Sequence, residues 1–532
     1  MSQVAQVRVR YAPSPTGLQH IGGVRTALFN YLFARRSGGR FILRVEDTDR
    51  ARSEDHYIQD IYQSLAWLGI EPDEGPAEHG FSGGDYGPYI QSRRVELYRK
   101  YTQQLLDEGK AYYCFCSTER MEQLRKKQEE EKSALQGYDR HCRSLPPEEA
   151  RREAERRYAA GVEGQGCTVR FAIPLEGSAT FHDLLLGDIE WANGDINPDP
   201  VILKADRFPT YHLANVIDDH LMNITHVLRA QEWLSSGPLH IQLYRAFGWE
   251  APQFCHLPMV MGRDPATDKL SKLSKRHGAT SLLEFRKGGY LREALINYIA
   301  LLGWAFDESR ETFTLAELEG CFDLAKLSRS PATFDYRKLE WFNGRYIRQY
   351  SVPQLRKELE NLWQEHSPEM HGAVSVENLT ERLDWILPLL QERLKSLREI
   401  PALAAYFFVA PVYEEPELAL PKKHTAAQAA ALLRKSRSVL EQLHSRDWVW
   451  ETFDELLAVK QDWEASFRAA AADEGVKMGS LMQPLRYAIT GSNTSPPLIE
   501  SMIVLERLAG GEELLGRLDS LAMCLETGAE DL

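Results

Sequence analysis

Two short stretches of this chain carry residue types suited to phosphate chemistry. The first is Pro13-Ser14-Pro15-Thr16-Gly17, followed by His20-Ile21-Gly22-Gly23. Its prolines and glycines predict a tight turn from a strand into a helix, and Gly22 and Gly23 let a ligand approach the backbone at the helix N-terminus. Helix-terminal N–H groups favour an anion there, and His20 adds a side-chain donor, so a nucleoside triphosphate suits the position. The plainer reading is a Pro/Gly turn with a surface histidine. The second stretch is Lys269-Leu270-Ser271-Lys272-Leu273-Ser274-Lys275-Arg276-His277-Gly278. As a mobile loop it would carry two or three ammonium groups over a triphosphate and stabilise the charge that develops when the α-phosphate is attacked. Alone it reads as a solvated basic loop; paired with the first stretch it points to nucleotide-dependent chemistry.

A third group is Cys114, Cys116 and Cys142, clustered among seven cysteines. The odd count in a long chain argues against a disulfide framework. The Cys-x-Cys spacing suits zinc, which wants four ligands; reduced cysteines in a short hairpin are the alternative.

These residues need elements to position them. Val7, Val9 and Tyr11 alternate with Arg8 and Arg10, which predicts a strand, and Val24–Phe29 reads as helix. A second strand, Phe41–Val45, ends at Glu46-Asp47-Thr48-Asp49, so the chain opens with a βαβ unit. Arg10, Glu46 and Arg229 fall at the carboxyl ends of predicted strands, where open α/β sheets bind ligands. Around Asp107–Ala111 the pattern changes, and the charged helical stretch Glu119–Lys132 begins an inserted domain. Alternation resumes in Asn223–Arg229, which is expected to complete the sheet. From about Ser351 the chain is Leu- and Ala-rich, with Leu432, Val439, Leu440 and Leu443 on one helical face, which predicts a helical bundle. Pro411–Pro421 breaks it into two parts.

With 532 residues the chain exceeds the roughly 250–300 at which single cores stop growing, so several domains are expected. A composition of 43% hydrophobic and 26% charged residues excludes a disordered chain. The net charge of −14 excludes a uniformly basic coat, so any RNA contact must come from local patches. Arg151, Arg152, Arg156 and Arg157, and separately Arg345 and Arg348, are candidates for tracking phosphates; each set reads equally as a solvated helix face. The opening MSQVAQVRVR lacks a basic-then-apolar leader, and the longest apolar tract, near Pro401–Val412, falls short of the ~20 residues that span a bilayer. A cytoplasmic protein with no membrane partner is expected.

The sequence resembles the bacterial glutamyl-tRNA synthetases of class I. The resemblance rests on PSPTG with HIGG, RVEDTDR at Arg44–Arg50, PTYHLANVIDDH at Pro209–His220, RAQEW at Arg229–Trp233, and KLSKRHGATS. It continues collinearly through NYIALLGW and WFNGRYI to GVKMGSLMQPLRYAITGS, covering nearly the whole chain. Two departures stand out. Gly23 replaces the second histidine of the general class I signature, as is common in the glutamyl branch. The lysine loop repeats Leu-Ser-Lys, so its signature starts at Lys269 or Lys272; Arg276-His277-Gly278 after the second copy favours Lys272 and Lys275.

The resemblance implies an α/β fold: a Rossmann-type class I synthetase catalytic domain, an inserted α/β acceptor-binding domain, and an α-helical anticodon-binding bundle. The expected segments are catalytic residues 1–107 and 209–270, the insert 108–208, a lysine-loop and stem-contact domain 271–345, and anticodon-binding subdomains 346–412 and 413–532. It implies a glutamate–tRNA ligase that converts L-glutamate and ATP to glutamyl-adenylate and passes the glutamyl group to the 3′-terminal adenosine of tRNA(Glu). His20, Lys272, Lys275 and Mg²⁺ would stabilise the transition state. His20, Gly22, Gly23, Glu232, Trp233, Leu273 and Lys275 would hold ATP. Glu46 with Ser14 would take the ammonium of glutamate, while Arg10, Tyr211, Asn215 and Arg229 surround its carboxylates and Ala12 completes the pocket. Arginine forks bind carboxylate in a bidentate way, whereas glutamine would offer an amide NH₂ to donors that need acceptors.

Cys114, Cys116, Tyr138 and Cys142 resemble a structural zinc site of some relatives, with His141 the chemically more usual fourth ligand. The helical tail argues against glutaminyl-tRNA synthetases, which carry β-barrels there, and against enzymes that glutamylate a modified tRNA base, which lack the tail. A monomer is expected, and whether tRNA(Gln) is also charged stays open. Two readings of other classes are a catalytically inactive tRNA-binding regulator, expected to lose His20, Lys272 and Lys275 first, and a nucleotidylyltransferase without RNA, which leaves the tail unexplained.

Overall fold

The computed structural model describes residues 6–49, 52–77, 80–132, 136–160, 167–264, 266–366, 376–446 and 451–527. Arg50 of RVEDTDR lies outside these. The described chain forms two compact units. One comprises Met1–Phe285 with Leu295–Asp335, the other Arg286–Ala294 with Tyr336–Leu532.

The first unit is built on strand β1 (Arg8–Tyr11), paired in parallel with β2 (Arg40–Leu43) through the helix Ile21–Arg36. β2 stops short of the expected Val45, because the Val45 amide leaves the ladder and donates to the Tyr89 carbonyl. The arginines of β1 correct a simple inside–outside reading: both are buried, Arg8 against Glu74 and Arg10 against Asp219. The sheet has cover on both faces, as parallel βαβ layers do, so the alternate residues can be polar only if paired.

Two further strands appear in the insert, β3 (Ala111–Cys114) and β4 (Thr168–Phe171), which with β7 (Val201–Leu203) make a separate antiparallel sheet in the order β3-β4-β7. Between them in sequence, β5 (Ser178–Asp183) and β6 (Gly187–Ala192) form a hairpin with a different destination. β5 pairs in parallel with β9 (Gln253–Leu257), which pairs in parallel with β8 (His226–Ala230), giving a four-stranded sheet β6-β5-β9-β8. β8 lies beside β1 where the Thr225 amide donates to the Arg8 carbonyl. The insert therefore contributes a hairpin to the edge of the central sheet. Helices Tyr211–Leu221 and Gly237–Phe247 pack on it, with Leu213, Val216, Ile217, Leu243 and Tyr244 in the core shared with Val227 and Phe254.

The lysine stretch folds into β11 (Leu270–Lys272), antiparallel to β10 (Val260–Arg263), whose other edge pairs in parallel with β12 (Ala332–Phe334).

In the second unit every assigned element is helical among the described residues. The helix Ala426–His444 buries Leu432, Val439, Leu440 and Leu443, the face read from the sequence. A capping box starts it, Thr425 accepting from the Gln428 amide while Gln428 reaches back, and another, Thr452 with Glu455, starts Phe453–Asp473. The Pro- and Glu-rich segment holds a single short helical turn, Pro416–Ala419, within this unit. No helix among the described residues is long and apolar enough to cross a membrane.

Candidate active site

His20 is the N-cap of the helix Ile21–Arg36, and its Nδ1 accepts from the Gly23 amide at 3.2 Å. That bond fixes the tautomer: the proton sits on Nε2, free to donate outward. His20 reaches solvent through the cleft it lines, yet the protein atoms around the ring and the Lys272 ammonium hold its pKa below the ordinary histidine value. It is a neutral donor at neutral pH. Gly23 is small for a local reason, since a Cβ there would stand 2.9 Å from the Tyr11 hydroxyl.

The cleft has a volume of about 970 Å³ and is lined from the carboxyl ends of β1, β2 and β8. Fourteen of the fifteen residues assigned to catalysis, ATP or glutamate from the sequence line this one cleft, from Arg10 and Ser14 through Glu46, Tyr211 and Arg229 to Lys272 and Leu273. The side chain of the fifteenth, Lys275, lies outside what is described. Lys272 is ion-paired with Glu232, so the lysine loop is docked on the cleft rather than free in solvent. His277 holds the loop's shape: buried, it lies 3.1 Å from Ser271 Oγ and accepts from the Ser274 amide at 3.0 Å.

Beneath the cleft is a buried ionic layer whose pairing sequence reasoning missed, although Arg44, Glu46, Asp218 and Asp219 stand in the quoted motifs. Asp219 accepts from Arg10 at 3.1 Å and from Arg44 at 2.7 Å, and Arg44 also donates to Glu46 at 3.0 Å. Asp218 accepts from Arg94 at 2.7 Å and from the Tyr98 hydroxyl at 2.7 Å. Burial opposes ionisation of Asp219, but Arg10 and Arg44 outweigh it and hold its carboxyl below the usual aspartate range. For Glu46 burial wins, and its carboxyl titrates above the usual range despite Arg44 and Arg10. Both donors to Glu46, Arg44 and Asn215 Nδ2 at 3.2 Å, converge on Oε1. The other oxygen is the one left to take a cation in the cleft.

Arg229 differs from Arg10, Arg44 and Arg94, which each meet a carboxylate, and like Arg25, which is held by the Leu302 and Pro258 carbonyls, it lacks one among the described residues. It is 4% exposed, and among the described residues no carboxylate lies within ion-pair distance of its guanidinium. Its contacts are neutral: Nε donates to His256 Nε2 at 3.0 Å, Nη1 lies 3.3 Å from both the Tyr211 hydroxyl and His240 Nδ1, and Nη2 donates to the Trp233 carbonyl at 3.1 Å. Burial and Arg229 itself push His240 well below the histidine range and His212 down to about 4, so both rings are neutral. A buried, unneutralised guanidinium on a cleft wall is a receptor for an anion.

Away from the cleft, the thiols of Cys114, Cys116 and Cys142 lie within 4.8 Å of one another, and the Tyr138 hydroxyl is 3.4 Å from Cys114 Sγ and 3.7 Å from Cys116 Sγ. The Cys142 amide donates to that hydroxyl at 2.8 Å. His141 does not join the cluster; its amide bonds to the Asp139 carboxylate and it faces solvent. The basic helix face is partly paired: Arg156 and Arg157 share Glu153, Arg151 binds Asp107, and Arg152 donates to the Glu148 carbonyl. A helix sequence shows such i,i+3 and i,i+4 partners, but not that they engage one another rather than an RNA.

Residues 6–341 match the family described as tRNA synthetases class I (E and Q), catalytic domain, and residues 354–522 match an anticodon binding domain. The cleft, on a parallel sheet with its helix-capping histidine, is thus that of a class I tRNA synthetase. Relatives narrow it further. The chain is 48% identical to a glutamate–tRNA ligase of Treponema denticola, over 94% of this chain and 96% of that one. It is also 48% identical to one of Borrelia duttonii, over 95% and 94% of the two chains. A crystal structure of a glutamate tRNA ligase from Elizabethkingia meningosepticum in complex with its amino acid superposes with a TM-score of 0.79 at 34% identity, covering 98% of this chain and all of that one. The chain belongs to the glutamate–tRNA ligase family.

Proposed function

We propose that this chain activates L-glutamate with ATP and transfers it to tRNA in the cytoplasm. The observation that carries the reading is Arg229, a buried cation without a carboxylate partner, on the same cleft as the glycine-lined helix start and His20. Glutamate supplies two carboxylates and one ammonium. Arg229, Arg10, Tyr211 and Asn215 take the carboxylates, and Glu46 with Ser14 takes the ammonium through the carboxylate oxygen that Arg44 does not occupy. ATP lies along Gly22 and Gly23, its adenosine at Glu232 and Trp233 and beside Leu273. The α-carboxylate of glutamate attacks the α-phosphorus in line, pyrophosphate leaves, and His20 Nε2–H with Lys272 and Lys275 holds the charge that builds on the phosphate oxygens. The terminal 2′-hydroxyl of tRNA then attacks the activated carbonyl and AMP leaves. Mg²⁺, when bound with ATP, supplies further charge neutralisation on the phosphates.

Glutamate rather than glutamine fits because an amide cannot neutralise Arg229, and a site that leaves a buried charge unpaired discriminates by roughly 10⁴ or more. The test is charging of purified tRNA(Glu) and tRNA(Gln) with labelled glutamate and with labelled glutamine, together with ATP–pyrophosphate exchange with and without tRNA. Transfer of glutamate to neither tRNA overturns the reading; transfer to both identifies the form that also charges tRNA(Gln).

The thiol cluster fits zinc. At a Zn–S bond length near 2.3 Å, tetrahedral geometry separates sulfurs by about 3.8 Å, and Cys116 and Cys142 Sγ lie 3.6 Å apart. Tyr138, whose hydroxyl already meets two of the sulfurs, supplies the fourth ligand in preference to His141. The metal would clamp the end of β3 to the segment at Cys142. Purified protein is expected to carry about one zinc per chain, and Cys142→Ser to lose it, by elemental analysis; metal-free wild-type protein of full thermal stability defeats this.

In the second unit Arg348 lines a cleft of about 420 Å³ with Arg337, Arg393, Lys395 and the half-exposed Trp341. Glu340 also lines it and pairs with Lys395 at 3.6 Å, and the three arginines beside an indole face suit an RNA phosphate with a stacked base. Arg348→Glu with Arg393→Glu is expected to raise KM for tRNA about tenfold or more and to flatten its salt dependence, with KM for ATP and glutamate unchanged.

A further inference from the structure

Asp183 and His256 are both fully buried and neither lines the cleft. Asp183 ends β5, on the hairpin that the insert adds to the sheet edge, and His256 stands on the neighbouring β9. His256 Nδ1 is 2.7 Å from Asp183 Oδ2, which also accepts from the His256 amide at 3.0 Å; Oδ1 accepts from the amides of Leu185 and Leu186 at 3.0 and 2.9 Å. These four donors hold the carboxylate ionised, its pKa below the usual range: burial, the largest single effect, would raise it, and the His256, Leu186 and Leu185 bonds together outweigh that. Its position leaves no route to a direct ion pair with Arg229. The carboxylate must therefore take the imidazole proton on Nδ1, which leaves Nε2 as a bare acceptor facing Arg229 Nε at 3.0 Å.

We propose that Asp183 and His256 are positioning residues that hold Arg229 through a neutral imidazole, so that the guanidinium is fixed in place with its charge unspent, and that this sets the preference for a carboxylate side chain over an amide. The contrast lies within the same layer. Arg10 and Arg44 meet Asp219 directly, so a carboxylate already shares their charge. A carboxylate in place of His256 would orient Arg229 equally well and cancel what the substrate needs; an apolar residue would leave the charge but lose the orientation. The Asp–His pair separates the two, because it presents an electron-rich acceptor whose negative charge sits one ring away. Tyr211 and the neutral His240 flank the guanidinium without adding a counter-charge.

This inference rests on the reading that Arg229 binds glutamate. Its test uses the full chain, with exchange and charging measured in the presence of tRNA. Asp183→Asn places an amide NH₂ against donors on either side and turns the imidazole, so that Nε2–H meets Arg229 Nε–H. His256→Leu removes the acceptor. Both are expected to raise KM for glutamate about 10- to 100-fold and to lower the preference for glutamate over glutamine by a similar factor. KM for ATP should stay within about threefold, and His256→Gln, whose amide oxygen can accept from Arg229, should stay within about fivefold of wild type. If Asp183→Asn melts early because two of the four donors lose their acceptor, the His256→Leu and His256→Gln pair decides. Unchanged glutamate KM and selectivity in His256→Leu overturns the inference, as does an equal loss for glutamate and ATP. Arg229→Ala separates the levels: full glutamate activation in that variant defeats the underlying reading, whereas loss there with an unaffected His256→Leu defeats only the inference.

Discussion

Arg229→Ala is expected to lower kcat/KM for glutamate activation by about 10²- to 10³-fold, the cost of removing one partner of a buried, hydrogen-bonded charge pair, roughly 3–4 kcal/mol. ATP should bind as in wild type, because the helix start at His20, Gly22 and Gly23 is untouched. Stability should respond differently. Without ligand Arg229 is a buried charge with only neutral partners, so its removal leaves His256 Nε2 without a donor but also relieves an uncompensated ion. The two effects oppose, and the melting temperature of the ligand-free variant is expected within about 4 °C of wild type. Saturating glutamate, which stabilises the wild type by mass action, should no longer shift it. Activation kinetics and a thermal melt with and without glutamate check both halves. Full activity removes Arg229 from the pocket, and a large loss of ligand-free stability shows that its role is structural.

Asp219→Asn should give the reverse pattern, a large loss of stability. Asp219 is 1% exposed and is shared by two arginines that are themselves buried, Arg10 and Arg44. An amide keeps the shape but removes the charge and puts a donor against two donors, a change that costs about 3–5 kcal/mol in a buried pair. Glutamate activation should fall too, since Arg10 lines the cleft and loses its anchor. The pH dependence follows from the sign of the shift. The Asp219 carboxyl is held below its unfolded value, so the stability it contributes is present above the unfolded pKa near 3.9 and is lost as pH falls through the folded one. Glu46, shifted upward, works in the opposite direction: its contribution is present below the unfolded carboxyl value and is lost as pH rises through the folded pKa. The wild type minus Asp219→Asn stability difference, from urea unfolding at several pH values, should therefore be largest near neutrality and shrink below about pH 4. A difference that is flat with pH, or under about 1 kcal/mol, would show that the ion layer does not hold the sheet.

Much of the site was legible because its parts lie in short, locally patterned segments. The Pro/Gly turn before an apolar helix placed His20 at a helix start, and a carboxyl-end rule for parallel strands put Arg10, Glu46 and Arg229 on one edge. The face of Ala426–His444 followed from periodicity alone. What periodicity could not show was pairing. Arg8 and Arg10 alternate with apolar residues along a strand, and each is buried against a carboxylate that lies far along the chain, Glu74 and Asp219. Nor did composition tell that the basic face at Arg156 and Arg157 is satisfied by Glu153.

The sequence by itself picked out the groups proposed to do the chemistry: a histidine before a helix, glycines beside it, a lysine stretch, and two arginines and one glutamate at strand ends. These are properties of residue type and local spacing. Only the tertiary structure decided which of the charges are available. Arg10, Arg44 and Arg229 are chemically alike, but the first two share the Asp219 carboxylate, while the third meets the His256 ring, whose other nitrogen faces Asp183 on a hairpin of the insert. Charge compensation depends on distances of a few ångströms between residues remote in sequence, and such distances are set by how the strands pack.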